Sequence, residues 1–136
     1  MNLKYCSNNH SKHLILLHII FVCKYRKKLL IRNDVKEDVE QYAYEICNKW
    51  DVEIIQMNTD KDHIHFMLRI KPTTVINKLV AVMKQYITFH IWQKYSKYLK
   101  QYLWKEHTFF TDGYFVSSIG NVSADKLNTY IEEQDK

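Results

Sequence analysis

The chain has 136 residues, which suggests one domain, and its 46% hydrophobic and 26% charged residues are ordinary for a globular protein. Two Gly, one Pro and three Cys exclude collagen-like chains, Gly-rich nucleotide-binding loops and a disulfide framework. The net charge of +5, with 14% aromatic residues, favours polyanionic partners such as single-stranded nucleic acid.

The longest apolar run, Leu14 to Cys23, predicts a buried central strand over about residues 13–25. A bilayer span needs about 20 apolar residues, roughly twice the length of this run. Basic residues follow it in place of a small-residue cleavage site, which argues against a signal peptide. We therefore expect no membrane association, and the cysteine pattern suggests a reduced, cytoplasmic protein.

Hydrophobic periodicity and turn residues predict the remaining elements. In chain order they are a helix over 34–50, strands over 52–57 and 63–70, a helix over 74–95, a strand within 109–119 and a helix over 124–134. The order β-α-β-β-α-β-α predicts a single α+β domain over residues 1–136. Its expected architecture is a ferredoxin-like or RRM-like antiparallel sheet with helices on one face, plus one extra C-terminal helix.

Two histidines, His63 and His65, stand on the predicted strand 63–70. Residues two apart on a strand share a face at about 6.5–7 Å, so both imidazoles project to one side while Ile64 and Phe66 point into the core. That spacing suits two ligands of one metal ion. Two exposed strand histidines that bind no metal would give the same pattern.

Tyr130 and Gln134 lie about 40° apart on one face of the last predicted helix. If this helix packs across the histidine face, a phenol and a carboxamide reach the imidazoles together. A metal held by two imidazoles and an amide oxygen keeps positions open for phosphate oxygens, and the hydroxyl would attack the phosphorus. Alternatively, Tyr130 is a core aromatic and Gln134 belongs to a frayed helix end.

Four segments, in this order, resemble the single-tyrosine HUH transposases, small enzymes of insertion sequences that move as single-stranded DNA. They are the first strand with its end at Lys24-Tyr25-Arg26, Asp60 to His65, Tyr114 to Gly120, and Tyr130 to Gln134. The similarity runs from about residue 11 to residue 134.

The resemblance implies that His63, His65 and Gln134 bind Mg²⁺ or Mn²⁺ and that Tyr130 attacks the scissile phosphate. The expected products are a 5′-phosphotyrosine and a free 3′-hydroxyl that later rejoins strands. It also implies a homodimer, in which the tyrosine helix can complete the partner's site, and recognition of hairpins near the DNA ends.

Basic and aromatic residues in three places are candidates for phosphate contact and base stacking. They lie after the first strand, on the long helix, and in the basic–aromatic alternation that follows it. These candidates are Lys24, Arg26, Lys27, Lys28, Arg32, Lys84, Lys94, Lys97, Tyr98 and Trp104. A solvated charged turn, and rings packed in a core or dimer interface, would explain the same residues.

Two further functions fit the sequence. One is a non-mobile relative that cleaves chromosomal repeat hairpins. The other is a non-catalytic, RRM-like nucleic-acid-binding module, which would carry aromatic rings on the exposed face of its central strands. The chain has His63 and His65 at the corresponding positions, which favours an enzyme.

Overall fold

A computed structural model of the protein describes residues 6–8, 11–105, 107–118 and 124–134. Its strands and helices are β1 (Cys6–Asn8), β2 (Ser11–His13), β3 (Ile15–Val22), α1 (Asn33–Lys49), β4 (Glu53–Thr59), β5 (His63–Ile70), α2 (Ile76–Lys100), β6 (Phe115–Ser118) and α3 (Ala124–Glu133). From β3 onward the order is β-α-β-β-α-β-α, which confirms the predicted α+β class. The β1–β2 hairpin was not predicted.

A four-stranded antiparallel sheet with the strand order β4-β5-β3-β6 forms the centre of the fold. The predicted central strand is β3, although it ends at Val22, because the chain turns at Tyr25 with a positive φ of 56°. The register places His65 opposite Ile20, and Ile20 opposite Phe115. Residues opposite each other share a face, so these three form one row across three strands.

One face of the sheet, which we call the inner face, carries the hydrophobic core. Ile19 and Phe21 of β3 and Ile64, Phe66 and Leu68 of β5 are fully buried there. Period-two alternation alone sends these side chains inward and their neighbours outward. The inward side of β5 is therefore as predicted.

Helices α1 and α2 cover the inner face. Their buried residues recur every four positions, which gives each helix one apolar stripe. These stripes include Val35, Val39 and Ala43 on α1 and Leu79, Met83, Ile87 and Ile91 on α2. Trp50 and Val75 fall within the predicted helix ranges 34–50 and 74–95, but both lie just outside the observed helices and are 41% and 52% exposed.

The opposite face, which we call the outer face, receives α3. Phe115 projects from β6 on this side, and its ring centroid lies 5.6 Å from that of Tyr130 on α3. Two helices on one face and a separate C-terminal helix therefore match the expected architecture. Within the described ranges, no helix combines the length and the apolar character that crossing a bilayer requires.

Candidate active site

His63 begins β5 on the outer face, and a carboxylate fixes its orientation. Its Nδ1 lies 2.8 Å from Oδ1 of Asp62. Asp62 is held in turn by Arg26, whose Nε is 3.5 Å from Oδ2, and by a backbone bond from the Cys23 amide at 2.8 Å. With Nδ1 bonded to a carboxylate, Nε2 of His63 is the nitrogen left to bind a metal.

His65 has a different partner, a histidine on the neighbouring strand. Its Nε2 lies 2.6 Å from Nδ1 of His18, and the two ring centroids are 4.8 Å apart. Burial lowers the pKa of both imidazoles, and the neighbouring His18 and His63 lower the pKa of His65 further. Both rings are therefore held toward the neutral form, which is the form that ligates metals.

The sequence analysis gave His18 no role in the site. It interrupts a long apolar run, and it has the same strand parity as Ile20 and Val22. That parity places it on the outer face, but only the β3–β5 register, with His18 opposite Met67, brings it diagonally next to His65. No feature of the isolated sequence specifies this register.

Tyr130 lies on the outer face, but on the β6 side. Its ring packs on Phe115, and its hydroxyl is buried and forms no hydrogen bond with any residue that the structure describes. Phe115 and His65 share a row with β3 between them, so their backbones are about 10 Å apart. Burial raises the pKa of Tyr130 to about 12.

Gln134 follows the last residue of α3, and its backbone N–H donates to the carbonyl of Ile131 at 3.2 Å. Among the residues that the structure describes, no three His, Cys, Asp or Glu side chains are placed to share a metal ion. A metal on His63 and His65 therefore needs donors of another kind, such as an amide oxygen or DNA phosphate. The donor types fit a divalent cation, and the Gln134 carboxamide is the amide that the sequence analysis assigned to it.

Lys84 of α2 binds the loop before β6. Its Nζ donates to the carbonyl oxygens of Thr111 at 2.7 Å, Gly113 at 2.6 Å and Asp112 at 3.3 Å. The ammonium also lies 5.3 Å from the ring centroid of Phe21, and burial lowers the pKa of Lys84 to about 8. Its contacts are therefore with the protein, and its predicted phosphate contact stays a prediction.

Several other predicted DNA-binding residues also contact protein groups. Arg32 pairs with Asp34 at 2.8 Å and lies over the ring of Tyr98, whose hydroxyl donates to a backbone carbonyl. Lys94 pairs with Asp38 at 2.7 Å. These protein contacts limit the freedom of Arg32, Lys94 and Tyr98 to make the predicted contacts with DNA.

The other predicted lysines differ in exposure, because Lys24 is only partly exposed. Lys27, Lys28 and Lys97 are exposed. Lys24 lies 4.0 Å from Asp112, and its Nζ stands 5.6 Å from the ring centroid of Tyr25.

Trp104 is 87% exposed and forms an aromatic pair that the sequence analysis missed. The ring of Tyr25, itself 47% exposed, meets it edge-on with centroids 6.2 Å apart. Tyr25 and Arg26 both have positive φ, 56° and 51°, an uncommon conformation for residues with side chains. This turn brings Tyr25, from the end of β3, to a tryptophan almost 80 residues away in the sequence.

The fold and the outer face together define the class: an antiparallel-sheet protein with a histidine–hydrophobe–histidine strand and a C-terminal tyrosine helix on the same side. Residues 11–134 match the family model described as "Transposase IS200 like". The chain therefore belongs to the IS200-like transposase family, and its general function is that of a transposase.

Curated relatives and solved structures agree with this assignment. The chain is 24% identical over 125 residues to the transposase for insertion sequence element IS200 of Salmonella typhimurium, covering 92% of this chain and 80% of the relative. It is 25% identical over 117 residues to the ISDra2 transposase TnpA of Deinococcus radiodurans, covering 86% and 81%.

Two solved structures share the fold. A crystal structure from Deinococcus radiodurans R1, described as a transposase, superposes with a TM-score of 0.86 at 21% identity, over 95% of this chain and 97% of the other. A REP-associated tyrosine transposase, solved with a REP hairpin bound, gives a TM-score of 0.57 at 9% identity, over 93% and 69%.

Proposed function

We propose that this transposase cleaves and rejoins single-stranded DNA at hairpin ends, with Tyr130 as nucleophile and a Mg²⁺ or Mn²⁺ ion held by His63, His65 and Gln134. The observation that carries the proposal is the outer face. It presents two imidazoles, each oriented by its own hydrogen-bond partner, and it receives the helix that carries Tyr130.

The proposed reaction exchanges one phosphoester bond for another. The Tyr130 oxygen bonds to phosphorus and loses its proton, while the P–O3′ bond breaks and the 3′ oxygen gains a proton. The 5′-phosphotyrosine is itself a phosphoester. A 3′-hydroxyl can therefore rejoin the strand by the reverse exchange without a nucleotide cofactor. A bound divalent cation would neutralise phosphate charge and favour the ionised phenol.

The chain's own residues supply the remaining requirements of this step. Asp62 and His18 restrain the two imidazoles, so that little ordering is left to be done on ligand binding. Tyr130 packs on Phe115, with β3 between that residue and His65, and burial raises the pKa of Tyr130 to about 12. In the proposed step Tyr130 therefore moves from this position toward the histidines before it reacts. Movement of α3 within one protomer, or exchange of α3 between the two protomers of a dimer, would achieve this.

A basic, aromatic surface supports the proposed DNA partner. It combines the Tyr25–Trp104 pair with the exposed Lys27 and Lys28. A groove of about 510 Å³ between α2 and residues 107–112 adds Lys24 and the half-exposed Phe89. Charged side chains beside exposed rings are what flexible or looped DNA strands require.

The test is covalent capture. Hairpin-bearing oligonucleotides from the DNA that flanks the coding region are incubated with the protein and Mn²⁺ or Mg²⁺, then separated under denaturing conditions. We expect a protein–DNA adduct that needs the metal and is lost in Tyr130→Phe but kept in Tyr102→Phe, a matched control with an exposed ring.

A second variant separates chemistry from binding. His63→Ala should lose the adduct while it still shifts the hairpin in a gel, because the substitution leaves every charged and aromatic side chain of the basic surface in place. Cleavage at the normal rate by His63→Ala contradicts the metal assignment. Tight hairpin binding by the wild type without any adduct contradicts the enzyme and favours the non-catalytic module.

A further inference from the structure

His63 and His65, the two histidines of β5, share a feature that neither the fold nor the family assignment requires. Each has one ring nitrogen bonded to a neighbouring side chain: His63 to Asp62 at 2.8 Å, and His65 to His18 at 2.6 Å. A hydrogen bond at one nitrogen of a neutral imidazole decides which nitrogen carries the proton and which has the lone pair.

We propose that His18 is a positioning residue for His65: its Nδ1 accepts a hydrogen bond from Nε2–H of His65, which leaves Nδ1 of His65 as the metal-binding nitrogen. This inference rests on the proposed function, because it takes His65 to be a metal ligand. It gives His18 the role toward His65 that Asp62 has toward His63.

The register argues that His18 orients the ligand and is not a third ligand. His63 lies opposite Val22, four residues along β3 from His18, a separation of about 13 Å. This is a backbone separation, and side chains that stand roughly perpendicular to the sheet at positions so far apart do not bring their ring nitrogens to one ion, whose nitrogen ligands lie about 2 Å away. His18 therefore contacts His65 from the side remote from His63.

Nitrogen NMR of the metal-free protein tests the hydrogen bond directly. At pH 8, where the His18 and His65 imidazoles are neutral, long-range ¹⁵N correlations distinguish the protonated nitrogen of each ring from the one with the lone pair. We expect the Nε2–H tautomer at His65, with loss of that preference in His18→Leu. A His65 ring protonated at Nδ1 in the wild type would overturn the proposal.

Metal affinity tests the consequence without reference to cleavage. Mn²⁺ binding, followed by electron paramagnetic resonance, should weaken about 10- to 100-fold in His18→Leu, the usual effect of removing a partner of a metal-ligating histidine. His18→Asn should restore much of the affinity, because its side-chain oxygen lies where Nδ1 was. The matched control is His90→Leu, since His90 is also half-buried but bonds to a carbonyl of its own helix.

The outcomes separate this inference from the function on which it rests. A wild-type protein that binds no Mn²⁺ contradicts the proposed metal site itself. A wild type that binds Mn²⁺, together with a folded His18→Leu variant of equal affinity, overturns only the role of His18. Thermal melting of each variant shows which ones are folded.

Discussion

The hydroxyl oxygen of Tyr130 lies 3.7 Å from the position that a β-carbon would occupy on Gly113. The proposed nucleophile is thus buried against a loop that Lys84 holds by its carbonyl groups. Its ring rests on Phe115. This arrangement keeps the phenol protonated and away from the histidines, which suits an enzyme whose nucleophile should react only when DNA is in place.

The first prediction is that Tyr130→Phe stabilises the folded protein. A buried hydroxyl without a partner costs about 1–3 kcal/mol, and the half-buried position of Tyr130 places the expected gain near 1 kcal/mol. Urea denaturation at pH 7 measures this difference. Tyr102→Phe is the control and should change the free energy of unfolding by less than about 0.5 kcal/mol. A destabilised Tyr130→Phe would show that the hydroxyl has a partner.

The second prediction concerns the pH dependence of the same variant. In the unfolded chain the phenol ionises near its ordinary pKa of 10, whereas in the folded chain the pKa is raised to about 12. Between these values the folded state holds more protons, so the stability contributed by Tyr130 falls as the pH rises. The advantage of Tyr130→Phe over the wild type should therefore grow from pH 10 to pH 12. An unchanged difference across this interval contradicts the burial of the hydroxyl.

A third prediction uses the space at Gly113. A β-carbon there would meet the Tyr130 hydroxyl at an ordinary contact distance, so Gly113→Ala should leave α3 docked. Gly113→Leu adds atoms where the hydroxyl lies, and it should release the helix. Hydrogen exchange of α3 amides reports the difference: near wild-type protection in Ala and faster exchange in Leu. Val116→Leu, at an exposed position on β6, should leave that exchange unchanged.

How well the sequence predicts a feature of the fold depends on how far apart in the chain the interacting residues lie. The bounds of β5, His63–Ile70, follow to the residue from an alternating pattern, interrupted by the apolar Met67, between a turn and Pro72. The end of α2 did not follow, because the helix continues to Lys100 through an irregular residue, Tyr95, with a φ of −125°. Local patterns thus fix the faces of elements better than their ends.

The candidate site shows the same division. The shared face of His63 and His65 depends only on strand parity, which the sequence contains. The contact between His18 and His65 and the pairing of Tyr25 with Trp104 depend on strand register and on a turn with positive φ. Neither has a signal within a short window of sequence.

The fourth prediction is that Lys84 acts on the loop more than on DNA. Lys84→Met keeps the aliphatic stem but removes the ammonium from three carbonyl oxygens, and hydrogen bonds to charged groups contribute about 1.5–3 kcal/mol each. We expect faster hydrogen exchange at the Thr111 amide, which bonds to Val22. Lys97→Met, at an exposed position on the same helix, is the control. Normal exchange with weakened hairpin binding would instead support a phosphate contact.

The fifth prediction separates base stacking from phosphate binding on the proposed DNA surface. Trp104 is 87% exposed, so Trp104→Ala should change the free energy of unfolding by less than about 0.5 kcal/mol. Its hairpin affinity should nevertheless fall by about 1–3 kcal/mol, the usual contribution of one stacked base.

The salt dependence of hairpin binding separates the two kinds of contact. Because Trp104→Ala removes no charge, its slope of log affinity against log salt should stay as in the wild type, whereas Lys27→Ala should reduce that slope by about 1. Tyr44→Ala removes an exposed ring from α1 and should leave hairpin binding intact. Equal affinities of Trp104→Ala and wild type would exclude the Tyr25–Trp104 pair from the DNA surface, since an exposed ring that stacks on a base cannot be removed without loss of affinity.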